Sequence, residues 1–393
     1  MKNSDTNKVL QTLSKVVQVV AVLFVFLVAL KLMSGGFKML SKDTAQQIIT
    51  LTSNPFISLF VGLLATALIQ SSSTTTSMIV AIVASGSLSL QNAVPMIMGA
   101  NIGTSVTSTI VALGHLSNKD EFKKAISAAT VHDFFNLIVM CVLFPIEYFT
   151  GALSSAGTAI ASVIYSSESS GPELFNIMSV TVKPAAKAIT ALLNKNALVV
   201  IGVGTLGLFI SLRLFTVVLK KLLVGNSEKR LEKYVFGKPL YSLVWGALIT
   251  AGVQSSSVTT SLTVPLVASN KLSLRNAFPF LMGANIGTTV TALIAAVSQN
   301  EAALAIAFCH FLFNIFGVFI LFPISAIRNI PIVCAELLGQ LTMKNRLVGV
   351  AYILVIFFII PFALIFATTD LNQEEESSLV TPVNPTEVTA KNS

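Results

Sequence analysis

Charge is scarce in this chain. Only 11% of its 393 residues are Asp, Glu, Lys or Arg, where a soluble domain carries about 25%. From Gly62 to Gly114 there is none, and from Gly246 to Val297 there are only Lys271 and Arg275. Such a shortage excludes a water-facing surface for most of the molecule. Cysteine is almost missing as well. Cys141, Cys309 and Cys334 all fall in apolar stretches, which offers no framework for a disulfide or a metal cluster. The serine clusters have no base paired with them by motif, and His132 and His310 sit in different segments, so enzyme chemistry is not indicated. The alternating pattern of a transmembrane barrel is absent too.

What is present is apolar. Hydrophobic residues make up 54% of the chain. Val16–Met33, Leu198–Leu219 and Leu347–Ala367 are each long enough to span ~30 Å of hydrocarbon. The net charge of +8 lies largely in short loops, where it sets topology rather than binding nucleic acid. Lys2, Lys8 and Lys15, then Lys119–Lys124, then Lys220–Lys238 are basic, whereas Ser166–Glu173 is acidic and polar. The positive-inside rule therefore places the N-terminus in the cytoplasm and the middle loop outside. The first apolar run is long and has no small-residue cleavage site, so no cleavable signal peptide is expected. The tail from Asp370 to Ser393 is polar and is expected to be disordered.

The chain repeats itself. Gln70–Thr107 and Gln254–Thr291 agree at 26 of 38 positions, 184 residues apart. The shared skeleton is QSSSxTTS, then VAS, LSL, and finally MGANIGT. Further on, HDFFN (His132–Asn136) matches HFLFN (His310–Asn314), and LFPI at Leu143 matches LFPI at Leu321. The loop inside the first copy is basic (NKDEFKK), and its counterpart SQNE has no positive charge. Conversely, the loop before the second copy is strongly basic. Opposite loops carry the basic residues, as they would if one copy entered the membrane from each side. The reading is an all-α polytopic membrane protein with two inverted-topology repeats. Its expected parts are 1–49 (cytoplasmic N-terminus and first span), 50–146 (repeat 1) and 147–197 (extracellular connector with further helices). They continue with 198–233 (span and basic cytoplasmic loop), 234–324 (repeat 2), 325–369 (C-terminal spans) and 370–393 (tail).

Each QSSS lies between apolar arms too short to span at ~1.5 Å per residue. A re-entrant helical hairpin fits, with the hydroxyls at a tip at mid-depth. Ser and Thr there cap the outgoing half-helix, and its free N–H groups and positive end face whatever binds. Irregular backbone at that depth must be surrounded by protein or a water-filled cavity. GANIGT (Gly99–Thr104 and Gly283–Thr288) is a poor helix interior and predicts a break in both copies, which would expose carbonyls beside Asn101 or Asn285. Those oxygens and the Thr hydroxyls suit a small alkali cation.

An anion at the tips would find no cationic side chain in the first repeat core. Two helix ends offer about half a charge each, and burying a bare dianion is very costly. Co-bound cations are the remaining source of positive charge, so anion and cation binding should be coupled. Asp133 is an acid inside a span, which marks it as a functional candidate. It is open to ligating a cation, pairing with His132 or accepting a proton, and its counterpart in the second copy is Phe311. His132, His310, Asn136 and Asn314 read as polar links between packed helices.

Doubled QSSS, doubled GANIGT and ATVHDFFN…LFPIE resemble the type II sodium-dependent phosphate cotransporters, in a short bacterial form. The resemblance implies a sodium-coupled symporter that imports inorganic phosphate through a cell membrane, multi-pass and with a cytoplasmic N-terminus. It implies a phosphate site at Gln70, Ser71, Ser72, Ser73, Gln254, Ser255, Ser256 and Ser257. It implies sodium ligands from Asn101, Thr104, Asn285, Thr288 and Asp133, with His132, Asn136, His310 and Asn314 in support. The partners are then phosphate, sodium and the lipid bilayer, and the sequence leaves a homodimer open. Another oxyanion or a dicarboxylate as cargo, or an anion channel, are the alternatives.

Overall fold

A computed structural model describes residues 2–167, 178–223 and 235–367, and among them every regular element is a helix. The polar tail, the acidic middle stretch from Glu168 onward and most of the basic loop before repeat 2 fall outside the described residues. Among the described residues seven helices are long and apolar enough to cross a membrane, or up to eight if one bent pair is a single span.

The first long helix, α1 (Lys2–Lys38), contains the span Val16–Lys38. A short helix α2 (Lys42–Leu51) lies at 99° to the next one. Repeat 1 follows as α3 (Pro55–Ile69), α4 (Ser72–Ser85), α5 (Leu90–Gly103), α6 (Val106–Leu113) and α7 (Lys119–Thr150). The expected connector is helical: α8 (Ala152–Ser167) and, beyond the undescribed stretch, α9 (Lys183–Leu192). Then comes the span-length α10 (Ala197–Leu223). Repeat 2 is α11 (Pro239–Val253), α12 (Ser256–Ala268), α13 (Leu274–Val297) and α14 (Glu301–Leu321). Two further helices follow, α15 (Ser325–Lys344) and α16 (Leu347–Leu354), which continues through a π-helical turn at Val355–Ile359.

The duplicated sequence builds duplicated boundaries. α3 and α11 both start with proline, Pro55 and Pro239, where its missing N–H costs nothing. α5 and α13 both start from a serine cap, with Ser89 accepting from the Asn92 N–H at 3.3 Å and Ser273 from the Asn276 N–H at 3.2 Å.

Glycines set the helix crossings. A Cβ at Gly99 would stand 1.8 Å from the Leu59 carbonyl oxygen, and one at Gly62 would stand 1.9 Å from that of Met96. In repeat 2 the same positions, Gly283 and Gly246, face the carbonyls of Leu243 at 1.9 Å and Phe280 at 2.1 Å. So α3 lies against α5, and α11 against α13, backbone to backbone. This corrects the reading of GANIGT as a break in both copies. In repeat 2 the motif lies within one unbroken helix, α13. In repeat 1 the interruption is only Thr104 and Ser105, both still in right-handed helical conformation. The glycines serve close packing, which a single helix cannot reveal.

α1 and α10 run antiparallel. A Cβ at Gly36 would meet Ile201 and Ala197, while one at Gly204 would meet Met33 and Ala29. Their C-termini therefore lie at opposite ends of the pair, and each leads toward its own repeat.

Candidate functional site at the paired serine turns

Both QSSS segments form one sharp turn between two short helices. α3 has 15 residues and α4 has 14, about 22 and 21 Å at ~1.5 Å per residue. Gln70 and Gln254 end the incoming helices in left-handed conformation, with φ of 57° and 54°. For a residue with a side chain that conformation costs roughly 1–2 kcal/mol. The same cost recurs at the same position of both copies, as strain at functional sites does. Ser71 and Ser255 then extend, both at φ −149°. Each caps the outgoing helix: Ser71 accepts from the Thr74 N–H at 3.2 Å, and Ser255 from the Val258 N–H at 3.4 Å.

The two turns meet. Ser73 donates to the Gln254 carbonyl at 2.8 Å. Close by, the Ser108 and Thr260 hydroxyls share a hydrogen bond of 2.9 Å. The N-termini of α4 and α12 therefore converge on one polar patch in the middle of an apolar molecule. Ser72, Ser73, Ser256 and Ser257 are buried, and Ser71 and Ser255 half-buried. Gln70 is exposed, but Gln254 is only 7% exposed. The Ser256 hydroxyl has no protein partner.

A second polar assembly links the repeats. His132 on α7 faces Asn285 on α13 through Nε2 and Oδ1. In mirror fashion His310 on α14 faces Asn101 on α5, at 3.3 Å. Asn285 also donates to Asn136 Oδ1 at 2.7 Å, and Asn136 donates to the Asn101 carbonyl at 2.9 Å. Because the Asn285 amide nitrogen donates to Asn136, its oxygen accepts a hydrogen bond from His132, which assigns that tautomer as Nε2–H. Asn314 donates only to the His310 carbonyl, at 3.0 Å. His132, His310 and Asn136 thus link helices across the two repeats, whereas Asn314 bonds only within its own helix.

The expected sodium residues separate into three kinds. Thr104 and Thr288 donate back to the Ala100 and Ala284 carbonyls, at 3.1 and 2.9 Å. Asn101 and Asn285 belong to the inter-repeat links. Asp133 is fully buried and does not pair with His132. It accepts from the Tyr352 hydroxyl at 3.0 Å, with the Ser105 hydroxyl alongside, and its Oδ1 has no partner. Tyr352 lies on α16, outside both repeats, so sequence reasoning had no reason to select it. Sequence reasoning also missed Thr66 with Thr250 and Ser77 with Ser261. These are buried hydroxyls without partners at equivalent positions of the two copies; the 184-residue offset pairs them, but only the structure shows that they are buried and unpartnered.

Known proteins resemble this chain along most of its length. The family model described as Na+/Pi-cotransporter matches residues 25–166 and 207–337, which take in both repeats and parts of the helices flanking each. A sheep protein named sodium-dependent phosphate transport protein 2A is 33% identical over 429 residues, 89% of this chain and 67% of its own. A human protein named sodium-dependent phosphate transport protein 2B is 30% identical, over 89% of this chain and 65% of its own. No solved structure matches. Two family matches on two copies of one serine-turn unit, together with these relatives, place the chain in the Na+/Pi-cotransporter family.

Proposed function

We propose that this chain imports inorganic phosphate coupled to sodium, by alternating access, with phosphate held between the two serine turns. The contact between the turns carries this reading, because it brings the serine-capped N-termini of α4 and α12 together. The relatives' names support the cargo and the driving ion. Phosphate sits between Gln70–Ser73 and Gln254–Ser257. The unpartnered Ser256 hydroxyl donates to it without giving up a protein bond.

Between Gly62 and Gly114 the chain offers no charge to offset the anion, so sodium does so, and phosphate binds well only after it. Asp133, with its open Oδ1, is the sodium residue this reading relies on most, and Thr104 and Thr288 remain in its neighbourhood. The side-chain oxygens of Asn101 and Asn285 already face histidines, so their role here is to link the repeats. The antiparallel α1 and α10 support inverted topology, since each leads to a hairpin from its own end. The N-terminus is cytoplasmic by the distribution of lysines and arginines. One copy contains both turns, so a homodimer would leave the site unchanged. The membrane would be that of a bacterial cell.

Uptake of labelled phosphate into proteoliposomes tests the function. Accumulation above equilibrium under an inward sodium gradient at zero voltage is expected, and equilibration that ignores sodium would indicate a channel instead. Within the same assay, Ser256→Ala should raise the phosphate concentration for half-maximal uptake about ten-fold, the worth of one charge-assisted hydrogen bond. Asp133→Asn should move the sodium activation curve more than the phosphate curve. Tyr352→Phe should do the same more weakly, since it frees the carboxylate rather than removing it. Equal shifts in both curves for Asp133→Asn would place that residue on the phosphate side.

A further inference from the structure

Two loops stand at equivalent positions of the repeats and are built differently. In repeat 1 the loop from Gly114 to Asn118 is exposed except for half-buried His115. Its side-chain bonds among the described residues are local: His115 to Glu121 at 3.1 Å and Asn118 to Glu121 at 3.1 Å. In repeat 2 the loop Ser298–Asn300 is buried or half-buried. Its bonds cross the molecule. Lys31, on α1, donates to the Ser298 carbonyl at 3.0 Å and to Gln299 Oε1 at 3.2 Å. Asn300 caps α14 with its oxygen and uses its amide nitrogen to donate to the Ala84 carbonyl at 3.0 Å. Ala84 is in the last turn of α4, the outgoing arm of the first hairpin.

Three consecutive residues thus tie together α1, the far end of hairpin 1 and the junction of α13 with α14. A lysine ammonium is also well placed there, against the negative end of α13. α5 starts beside the end of α4 and, with α6, runs about 36 Å away at ~1.5 Å per residue. The untied loop Gly114–Asn118 is therefore at the opposite end of the molecule.

The serine turns show the same asymmetry. Gln70 and Gln254 occupy equivalent positions with matching backbone, yet Gln70 is exposed and Gln254 is 7% exposed. Hairpin 1 starts from the tied end and hairpin 2 from the other. Each tip glutamine thus looks toward the end opposite to its hairpin's entry, so the buried one, Gln254, faces the tied end.

We infer that Lys31 and the loop Ser298–Asn300 form a latch that closes the transport path at the end carrying the C-terminus of α1, and that this structure is the state with that latch shut. Lys31 acts as a positioning residue. It touches no cargo, and its bonds must break before that end opens. The inference rests on the alternating-access reading above, but its test reads geometry and needs no cargo.

Replace the three native cysteines with alanine, introduce Gln254→Cys or Gln70→Cys, and measure reaction with a membrane-impermeant thiol reagent applied to each face of proteoliposomes. Both positions pay the same left-handed backbone cost, so their rates compare directly. With Lys31 intact, Gln70→Cys should react fast from one face and Gln254→Cys slowly from the other. Adding Lys31→Met should speed the reaction at Gln254→Cys at least about ten-fold, since a charged group's bonds are among the stronger ones. Asn300→Ala, which leaves the charge in place, should speed it about three-fold. Lys31→Arg keeps a donor and should hold the slow rate. Unchanged rates in both Lys31→Met and Asn300→Ala would overturn the latch, as would a fast reaction at Gln254→Cys while Lys31 is intact. Failure of sodium-driven uptake by the unsubstituted protein would instead count against the function.

Discussion

Alanine at Gly99 or Gly283 should abolish sodium-driven phosphate uptake and leave little folded protein, whereas alanine at Gly35 or Gly202 should leave both intact. All four changes add one methyl group to a helix. At Gly99 and Gly283 that methyl group would sit 1.8 and 1.9 Å from a backbone carbonyl oxygen of the neighbouring helix, while at Gly35 and Gly202 nothing lies within 4 Å. A backbone oxygen cannot turn aside as a side chain can, so the helices must separate. Overpacking of this kind costs about 1–3 kcal/mol, and more where the obstacle is rigid. Membrane helices associate largely through such close contacts between small residues. Separation would also carry each serine turn away from the helix that supports it. The check is uptake in proteoliposomes together with the yield of monodisperse protein in detergent. Folded, active protein with alanine at both Gly99 and Gly283 would show that the crossings are looser than described.

Asn285→Leu should be the most damaging change among the inter-repeat links. It removes the acceptor of His132 Nε2 and the donor to Asn136 together. Each buried polar group left without a partner costs about 1–3 kcal/mol, so the sum is about 2–6 kcal/mol. Asn101→Leu should cost less. The bond it removes between side chains, to His310, is longer at 3.3 Å, and the Asn101 carbonyl that receives Asn136 stays in place. Pairing His132→Leu with Asn285→Leu should cost less than the two changes added, because removing both partners leaves fewer groups unsatisfied. Thermal unfolding in detergent, followed through the single tryptophan, Trp245, measures all of these. Additive losses would mean that the links do not act as a unit.

The sequence by itself determined the membrane class, the helical content and the two-fold repetition. These depend on composition and local pattern: too few charges for a water surface, apolar runs of spanning length, and one motif written twice. It also picked out the serine turns, because a hydroxyl cluster between arms too short to cross has few other uses. The turn chemistry is local, so Ser71 and Ser255 could be recognised as caps without knowing what lay across from them.

Tertiary structure alone decided how the parts oppose one another. GANIGT looked like a break because glycine destabilises a helix in isolation. Only the carbonyls of α3 and α11 reveal that the glycines are there to let two backbones touch, which is why α13 stays whole. Asn101 and Asn285 looked like ligands because their oxygens were free on paper. Bonds across 209 and 153 residues then assigned those oxygens to His310 and His132. Tyr352 reaches Asp133 over 219 residues, and Lys31 reaches Ser298 over 267. No periodicity or spacing encodes such pairs. They arise when separate helices share one low-dielectric interior, where a polar group left without a partner is too costly to persist.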